Sequence, residues 1–431
     1  MPRAGRHAQE LVVLGLDVCE KGREKSSWKY FECCDDVGMS GNSGGERTHS
    51  WNRVDGIDVL RGMAILFVLL NHVNMRLVIA GIPYGHALPH RLLNDSVWNG
   101  QRGVQIFFAV SGFLITSTTL RRWGTLSSVR VRDFYSLRFA RIAPLLLLLL
   151  AVLSIFDFAQ IKNFIVPGGL GSALFAAITF RMNLLLRAHH GSFPGNWYVL
   201  WSLSVEETFY FFFPLVCRWL GRGKLMIALL STFIVMGPFA RTIFAQGSAT
   251  WSEVSYLGGM DAIALGCLTS ILLPKLRFGR RGLLFMQVSG AMLMIWVLGF
   301  ANRFLGRTGL DMSVLALGTC MVIVAVAQAK RKGLTMVRPI LWLGQRSYEV
   351  YLTHMFVVYG LFEIFVAYGK PSRGIPALFI VTVILAGILG EVVARFFSEP
   401  MNRSLRERWG EGPNRIGAVV NNSEQKVAVN A

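Results

Sequence analysis

Charge is scarce in this sequence. Only 16% of its 431 residues are Asp, Glu, Lys or Arg, against 53% that are hydrophobic, and the mean hydropathy is +0.46. Soluble domains carry about 25% charged residues, so an ordinary water-soluble globule is excluded. Acidic residues are scarcer still: 25 Asp and Glu face 44 Lys and Arg, a net charge of +19. Such a surplus also marks nucleic-acid binders. In so apolar a chain it fits Lys and Arg held on the cytoplasmic side of a membrane, and no nucleic-acid partner is expected. Cysteine is sparse too. Cys217, Cys267 and Cys320 lie in apolar segments, where a lone thiol behaves as a small hydrophobe, and Cys19, Cys33 and Cys34 lie near the start. No CxxC pair or zinc spacing appears, so neither a metal nor a disulfide framework is expected. No signal peptide is expected: the apolar run 11–16 is too short and is followed by charge. No internal repeat of the kind that marks many transporters is visible.

What is present is a series of apolar runs, each long enough to cross about 30 Å of hydrocarbon. Eleven can be drawn, near residues 59–80, 104–120, 142–159, 170–187, 197–217, 225–245, 254–273, 283–301, 312–329, 347–367 and 376–397. Basic loops decide which of them cross. Arg121, Arg122, Arg130, Arg132, Arg138 and Arg141 fill one loop, Arg218, Arg222 and Lys224 another, and Lys275, Arg277, Arg280 and Arg281 a third. Lys330, Arg331, Lys332 and Arg338 fill a fourth, and Arg403, Arg406 and Arg408 follow the last run. All of them reach the cytoplasm only if segment 170–187 does not cross. That segment is interrupted by Arg181 and Asn183 and preceded by Gly168 and Gly169. The expected fold is therefore all-α: a multi-pass protein of the cell inner (plasma) membrane, with ten transmembrane helices and both termini cytoplasmic. Residues 1–50 are polar and aperiodic and read as a disordered cytoplasmic extension. Met39 offers an alternative start of translation. The membrane domain spans residues 54–403, and residues 404–431 read as a disordered tail.

Ionisable groups at membrane depth are costly and therefore candidates for function. In the first span Arg61 and His72 are eleven helical steps apart, about 16 Å along the axis. That puts Arg61 near the cytoplasmic face and His72 near mid-membrane. Asp58 precedes Arg61 by three residues and can pair with it on one helix face. Glu206 and Glu207 are adjacent in the apolar run 196–210. Side chains one residue apart point about 100° away from each other, so one carboxylate can face a cavity while the other is bonded elsewhere. Tyr210 closes the same run. Ser111-Gly112 in the second span fits close helix packing, and no nucleophile elbow surrounds Ser111. Arg138 and Arg141 share a helix face and suit a phosphorylated ligand, or serve as ordinary positive-inside anchors. Asp261 and His354 also reach membrane depth, where a polar network is the plainer role.

Together these residues resemble the membrane acyltransferases of the acyltransferase-3 type, which include O-antigen and exopolysaccharide O-acetylases. The matching features, in order, are Arg61 and His72 at their spacing, the run 107–115, Arg138 and Arg141, the run 201–210 and the run 347–354. They cover residues 54–403. The resemblance implies acyl-CoA, acetyl-CoA foremost, as donor. It implies a sugar hydroxyl as acceptor, on a polysaccharide, glycolipid or glycosylated metabolite. It also implies that His72 is catalytic and that Arg61, Arg138 and Arg141 bind the cofactor. Two positions depart from the family: Thr208 stands where Gln is usual, and Gly259 where Arg is frequent. His72 then acts as a general base or as a transient acyl carrier, with Glu206 orienting it. The competing class is a transporter or flippase of a lipid-linked sugar, since these too bury His, Glu and Asp at mid-membrane.

Overall fold

The computed structural model describes residues 55–83, 96–221, 224–299, 305–329 and 337–409. The expected extension 1–50, with Met39, lies outside the described residues, as does the tail from residue 410. Residues 404–408, expected to belong to that tail, instead complete a helix, Glu399–Arg408. Their charge removes them from a hydropathy count, yet Glu, Met, Leu and Arg are good helix formers, and Pro400 sits at the helix start, where it is tolerated.

Every regular element among the described residues is helical. Among the described residues, ten helical stretches are long and apolar enough to cross a membrane. We number their main helices α1 (Asp55–Ile79), α2 (Gly100–Trp123), α3 (Val131–Phe158), α4 (Leu200–Leu220), α5 (Lys224–Arg241), α6 (Tyr256–Leu272), α7 (Arg280–Gly299), α8 (Leu310–Ala329), α9 (Ser347–Ala367) and α10 (Ile375–Val393), the last running on through a π-helical turn, Ala394–Ser398, into Glu399–Arg408. Short helices Gly195–Tyr198 and Ala249–Val254 lead into α4 and α6. The segment 170–187 does not cross. It forms two short helices, Leu170–Ile178 and Met182–Ala188, separated at Phe180, whose φ is 55°. Neither approaches the roughly 20 residues a crossing needs. With ten alternating spans, the basic loops fall on one face of the bundle, together with helix Glu399–Arg408.

Several helices start earlier than their hydropathy suggests, α3 by the most. α3 begins at Val131 rather than 142, so Arg138 and Arg141 stand inside the helix and not in the loop before it. α1 begins at Asp55, with Asp55 and Asp58 in its first turn, where carboxylates favour the helix dipole. Its midpoint is then residue 67. His72 lies five residues beyond it, about 7.5 Å along the axis from the helix centre.

α2 is the hub, packed against α1, α6 and α8. Its contact with α6 needs glycine on both sides. A Cβ at Gly112 would lie 2.0 Å from the Ile263 carbonyl oxygen, and one at Gly266 would lie 2.1 Å from that of Ala109. The Ser111-Gly112 pair thus buys close backbone approach, as its place in the span suggests.

Candidate active site

A cavity of about 240 Å³ runs along one face of α2. Its wall includes α2 residues from Val104 to Trp123. That stretch covers nineteen helical steps, or about 28 Å of helix. Arg61 of α1, Arg138 and Arg141 of α3, Glu206 and Tyr210 of α4, and Tyr351 of α9 complete the lining that carries chemistry. Arg122 and Arg406 line it at the basic end.

Arg61 Nη1 donates to Asp58 Oδ1 at 3.1 Å, the local pairing their spacing predicts. The two glutamates divide as their 100° offset requires. Glu207 is buried and accepts from Arg138 Nε at 3.0 Å and Nη2 at 2.7 Å. Glu206 lines the cavity, 3.8 Å from the same Nη2. The Arg138 guanidinium also lies 3.7 Å over the Tyr210 ring, and the Tyr210 hydroxyl bonds that of Ser111. Arg138, Glu207, Tyr210 and Ser111 therefore form one cross-linked wall joining α2, α3 and α4. Arg138 spends its fork on that wall. Arg141, one turn further on, is exposed to the cavity and forms no ion pair among the described residues. The expected pair of equivalent anion ligands is thus unequal: Arg138 braces the wall and Arg141 carries the uncommitted charge.

The inner end is built differently. The Tyr351 hydroxyl donates to the Val199 carbonyl at 2.9 Å and accepts from Ser202 Oγ at 2.6 Å. The Tyr351 ring centroid is 5.8 Å from that of His354, and His354 is 4.9 Å from His72, edge to face. Each histidine is pinned by its own helix. His72 Nδ1 lies 2.8 Å from the Val68 carbonyl, and His354 Nδ1 lies 2.7 Å from that of Tyr351. A carbonyl only accepts, so both Nδ1 atoms carry the proton and both Nε2 atoms keep a lone pair. His354 Nε2 is buried with no hydrogen-bond partner. The ring in contact with His72 is that of His354, which the sequence marks chiefly as a network residue, while Glu206 stands in the cavity wall beside Arg138.

Asp261 is elsewhere. It is fully buried and accepts from Arg241 Nη2 at 2.8 Å and Nη1 at 3.1 Å, and from Gln105 Nε2 at 2.9 Å. This is a network joining α2, α5 and α6, outside the cavity. Sequence reasoning passed over Arg241, Tyr351 and Ser202. Arg241 looks like an end-of-helix cation, while Tyr351 sits in the run 347–354, whose histidine is the more conspicuous group.

Residues 54–391 match the Acyltransferase domain family. The chain belongs to that family. The O-acetyltransferase OatA of Staphylococcus aureus (strain NCTC 8325 / PS 47) is 22% identical over 382 residues, covering 83% of this chain and 58% of its own length. The peptidoglycan O-acetyltransferase OatA of Listeria monocytogenes serovar 1/2a is 26% identical over 340 residues, covering 72% of this chain and 50% of its own. The chain thus spans between 50% and 58% of the length of these two relatives. No solved structure matches it. The acyltransferase domain begins at Val54, where the resemblance begins in the sequence, and contains every site residue named above except Arg406.

Proposed function

We propose that this acyltransferase-family protein moves an acyl group, acetyl foremost, from acyl-CoA to a hydroxyl of a sugar-containing acceptor at the plasma membrane. The observation that carries this is the polarity of the cavity. One end is lined by guanidinium groups and suits phosphates. The other end offers hydroxyls, and the Tyr351 ring there stands against His354, itself in contact with His72, although neither histidine lines the cavity. A long donor with phosphates at one end and a thioester at the other fits that order. The relatives named as O-acetyltransferases support acetyl transfer, and the peptidoglycan named for the Listeria protein supports a carbohydrate acceptor.

Arg141, with Arg61, supplies charge to the donor's diphosphate, while Arg138 keeps the wall in place. His72 then has two available roles. As a base, its Nε2 takes the hydroxyl proton while the acceptor oxygen attacks the thioester carbonyl. The C–S bond breaks, and the proton passes to the leaving thiolate. As a carrier, Nε2 attacks the carbonyl and thiolate leaves. The acceptor oxygen then displaces the imidazole and its proton goes to the thiolate. Both routes balance with acyl-CoA and a hydroxyl alone.

Purified protein given acetyl-CoA and a sugar acceptor should release free CoA thiol, and a flippase would release none. Arg141→Ala should raise the apparent KM for acetyl-CoA about 10- to 150-fold, the equivalent of the roughly 1.5–3 kcal/mol of one charge-assisted contact. Arg141→Lys should recover only part, because an ammonium lacks the fork. Arg138→Ala should instead lower the yield of folded protein, since it leaves Glu207 buried without its partner. Equal KM effects with normal yield in both alanine variants would restore the two arginines to equivalent roles.

The orientation we propose puts the basic face in the cytoplasm, with both termini. A topology reporter fused after Arg187 should then give an outer-side signal, and one after Lys224 a cytoplasmic signal. A cytoplasmic signal after Arg187 contradicts this orientation.

A further inference from the structure

Past the inner end of the cavity, on the side away from the basic loops, three helix starts meet. Gln101 is in the first turn of α2, three residues before Val104, which lines the cavity. Tyr198 ends the short helix that leads into α4 and is followed by Val199, whose carbonyl accepts from the Tyr351 hydroxyl. Glu253 lies in the short helix that leads into α6. The three side chains converge. The Tyr198 hydroxyl donates to Glu253 Oε2 at 3.3 Å, and Gln101 Nε2 donates to the Glu253 backbone carbonyl at 3.3 Å. Glu253 also stands near enough to Tyr351 for its charge to act on that hydroxyl. All three side chains are half-buried, so each keeps an accessible part.

Glu253 differs from the carboxylates already described. Glu207 and Asp261 each hold an arginine, at 2.7 and 2.8 Å. Glu253 forms no ion pair among the described residues, and there the Tyr198 hydroxyl is the one donor to its carboxylate. An ionised carboxylate has about four acceptor sites, and withdrawing it from water without filling them is costly. A brace between two helices needs no charge, since a glutamine would accept from Tyr198 equally well. The charge therefore calls for donors that arrive from outside the chain. Guanidiniums at the other end of the cavity suit an anion; here a carboxylate and the Gln101 amide oxygen suit a ligand rich in donors. A sugar is such a ligand. Its neighbouring hydroxyls can donate together to one carboxylate, and its C–H face can lie on a tyrosine ring.

We propose that Glu253, with Gln101 and Tyr198, binds the hydroxyls of the sugar-containing acceptor, so that donor and acceptor approach Tyr351 from opposite ends of the bundle. This rests on the acyltransferase reading above and adds where the acceptor is held.

Protein in phosphatidylcholine nanodiscs is titrated calorimetrically with chitotetraose, an N-acetylglucosamine oligomer, with no donor present. Thiol release from acetyl-CoA is then followed with and without the oligosaccharide. The wild type should bind chitotetraose, and chitotetraose should speed thiol release. Glu253→Gln keeps an acceptor for Tyr198 and removes the charge. It should weaken binding and raise the KM for chitotetraose by about tenfold, the lower end for hydrogen bonds to a charged group, while the KM for acetyl-CoA stays unchanged. Tyr198→Phe should weaken binding less, because the carboxylate remains. Glu363→Gln makes the same change at an exposed carboxylate near the outer end of α9 and should leave both KM values at the wild-type level. Wild-type binding and KM in Glu253→Gln overturn the inference. So does a wild type that releases thiol but neither binds chitotetraose nor responds to it, and both results leave the acyl-CoA reading standing. Binding that Glu253→Gln weakens, with no thiol release from any protein, upholds the site and overturns that reading. Normal binding with slow turnover in Glu253→Gln assigns the residue to proton movement or packing and overturns the inference.

Discussion

His72→Ala is expected to abolish acyl transfer while expression and membrane insertion stay near normal. The loss should be at least about 10²- to 10⁴-fold, the usual cost of removing a positioned general base, and larger if His72 itself carries the acyl group. The expectation rests on the tautomer. Because Nδ1 is bonded to the Val68 carbonyl, the lone pair is on Nε2, the atom that must accept a proton or an acyl group. His72→Gln tests the alternative, a purely structural hydrogen bond. Glutamine keeps a donor for the carbonyl but cannot act as a base. Retention of most activity in His72→Gln would make the residue structural and move the chemistry to His354, its neighbour at 4.9 Å between ring centroids. His354→Gln should also slow transfer, but less. The reverse order of effects would exchange the two roles. Rapid quenching with labelled acetyl-CoA then separates base from carrier: a protein-bound acetyl group that requires His72 identifies the carrier, and its absence identifies the base.

Features confined to one helix were legible in the sequence. Asp58 and Arg61 pair because three residues make nearly one turn, and the offset of Glu206 from Glu207 follows from the helix itself. The non-crossing segment 170–187 was legible because charge bookkeeping and its internal Arg181 agreed. Relations between helices were not. Arg138 meets Glu207 across 69 positions, and Ser111 meets Tyr210 across 99. Which faces of two spans turn toward each other depends on tilt and rotation, and an apolar run fixes neither. That is why a reading of single spans does not show that α9 brings the His354 ring to within 4.9 Å of that of His72. Depth suffered from a related problem. A hydropathy window begins where charge ends, but a helix begins where its backbone is capped, so α3 gained turns carrying Arg138 and Arg141, and α1 a turn carrying Asp58.

Asp261→Ala should produce the largest loss of stability. Asp261 is fully buried and is the carboxylate partner of Arg241, which also donates to the Gly309 carbonyl at 3.0 Å from Nε and 2.8 Å from Nη2. Removing the carboxylate leaves a guanidinium inside the bundle with carbonyls and a hydroxyl around it and no countercharge. Breaking a buried pair in this way costs about 3–5 kcal/mol, because the surviving ion keeps its desolvation penalty. That is a large share of the roughly 5–15 kcal/mol that holds a typical protein folded. The yield of monodisperse protein and its thermal midpoint in detergent should both fall sharply. Asp261→Asn should fall less, since it still accepts from Gln105 and Arg241 without the charge. Arg241→Met combined with Asp261→Ala should recover much of the loss, since neither ion is then left unpaired. Space is prepared for the pair by Gly237, one turn before Arg241 on α5: a Cβ there would lie 2.6 Å from the Asp261 carboxylate. Asp261 does not line the cavity, so the fraction of Asp261→Asn that folds should transfer acyl groups at close to the wild-type rate. Full folding with abolished transfer would place Asp261 in the chemistry instead, and the division between a catalytic side of α2 and a structural side would have to be redrawn.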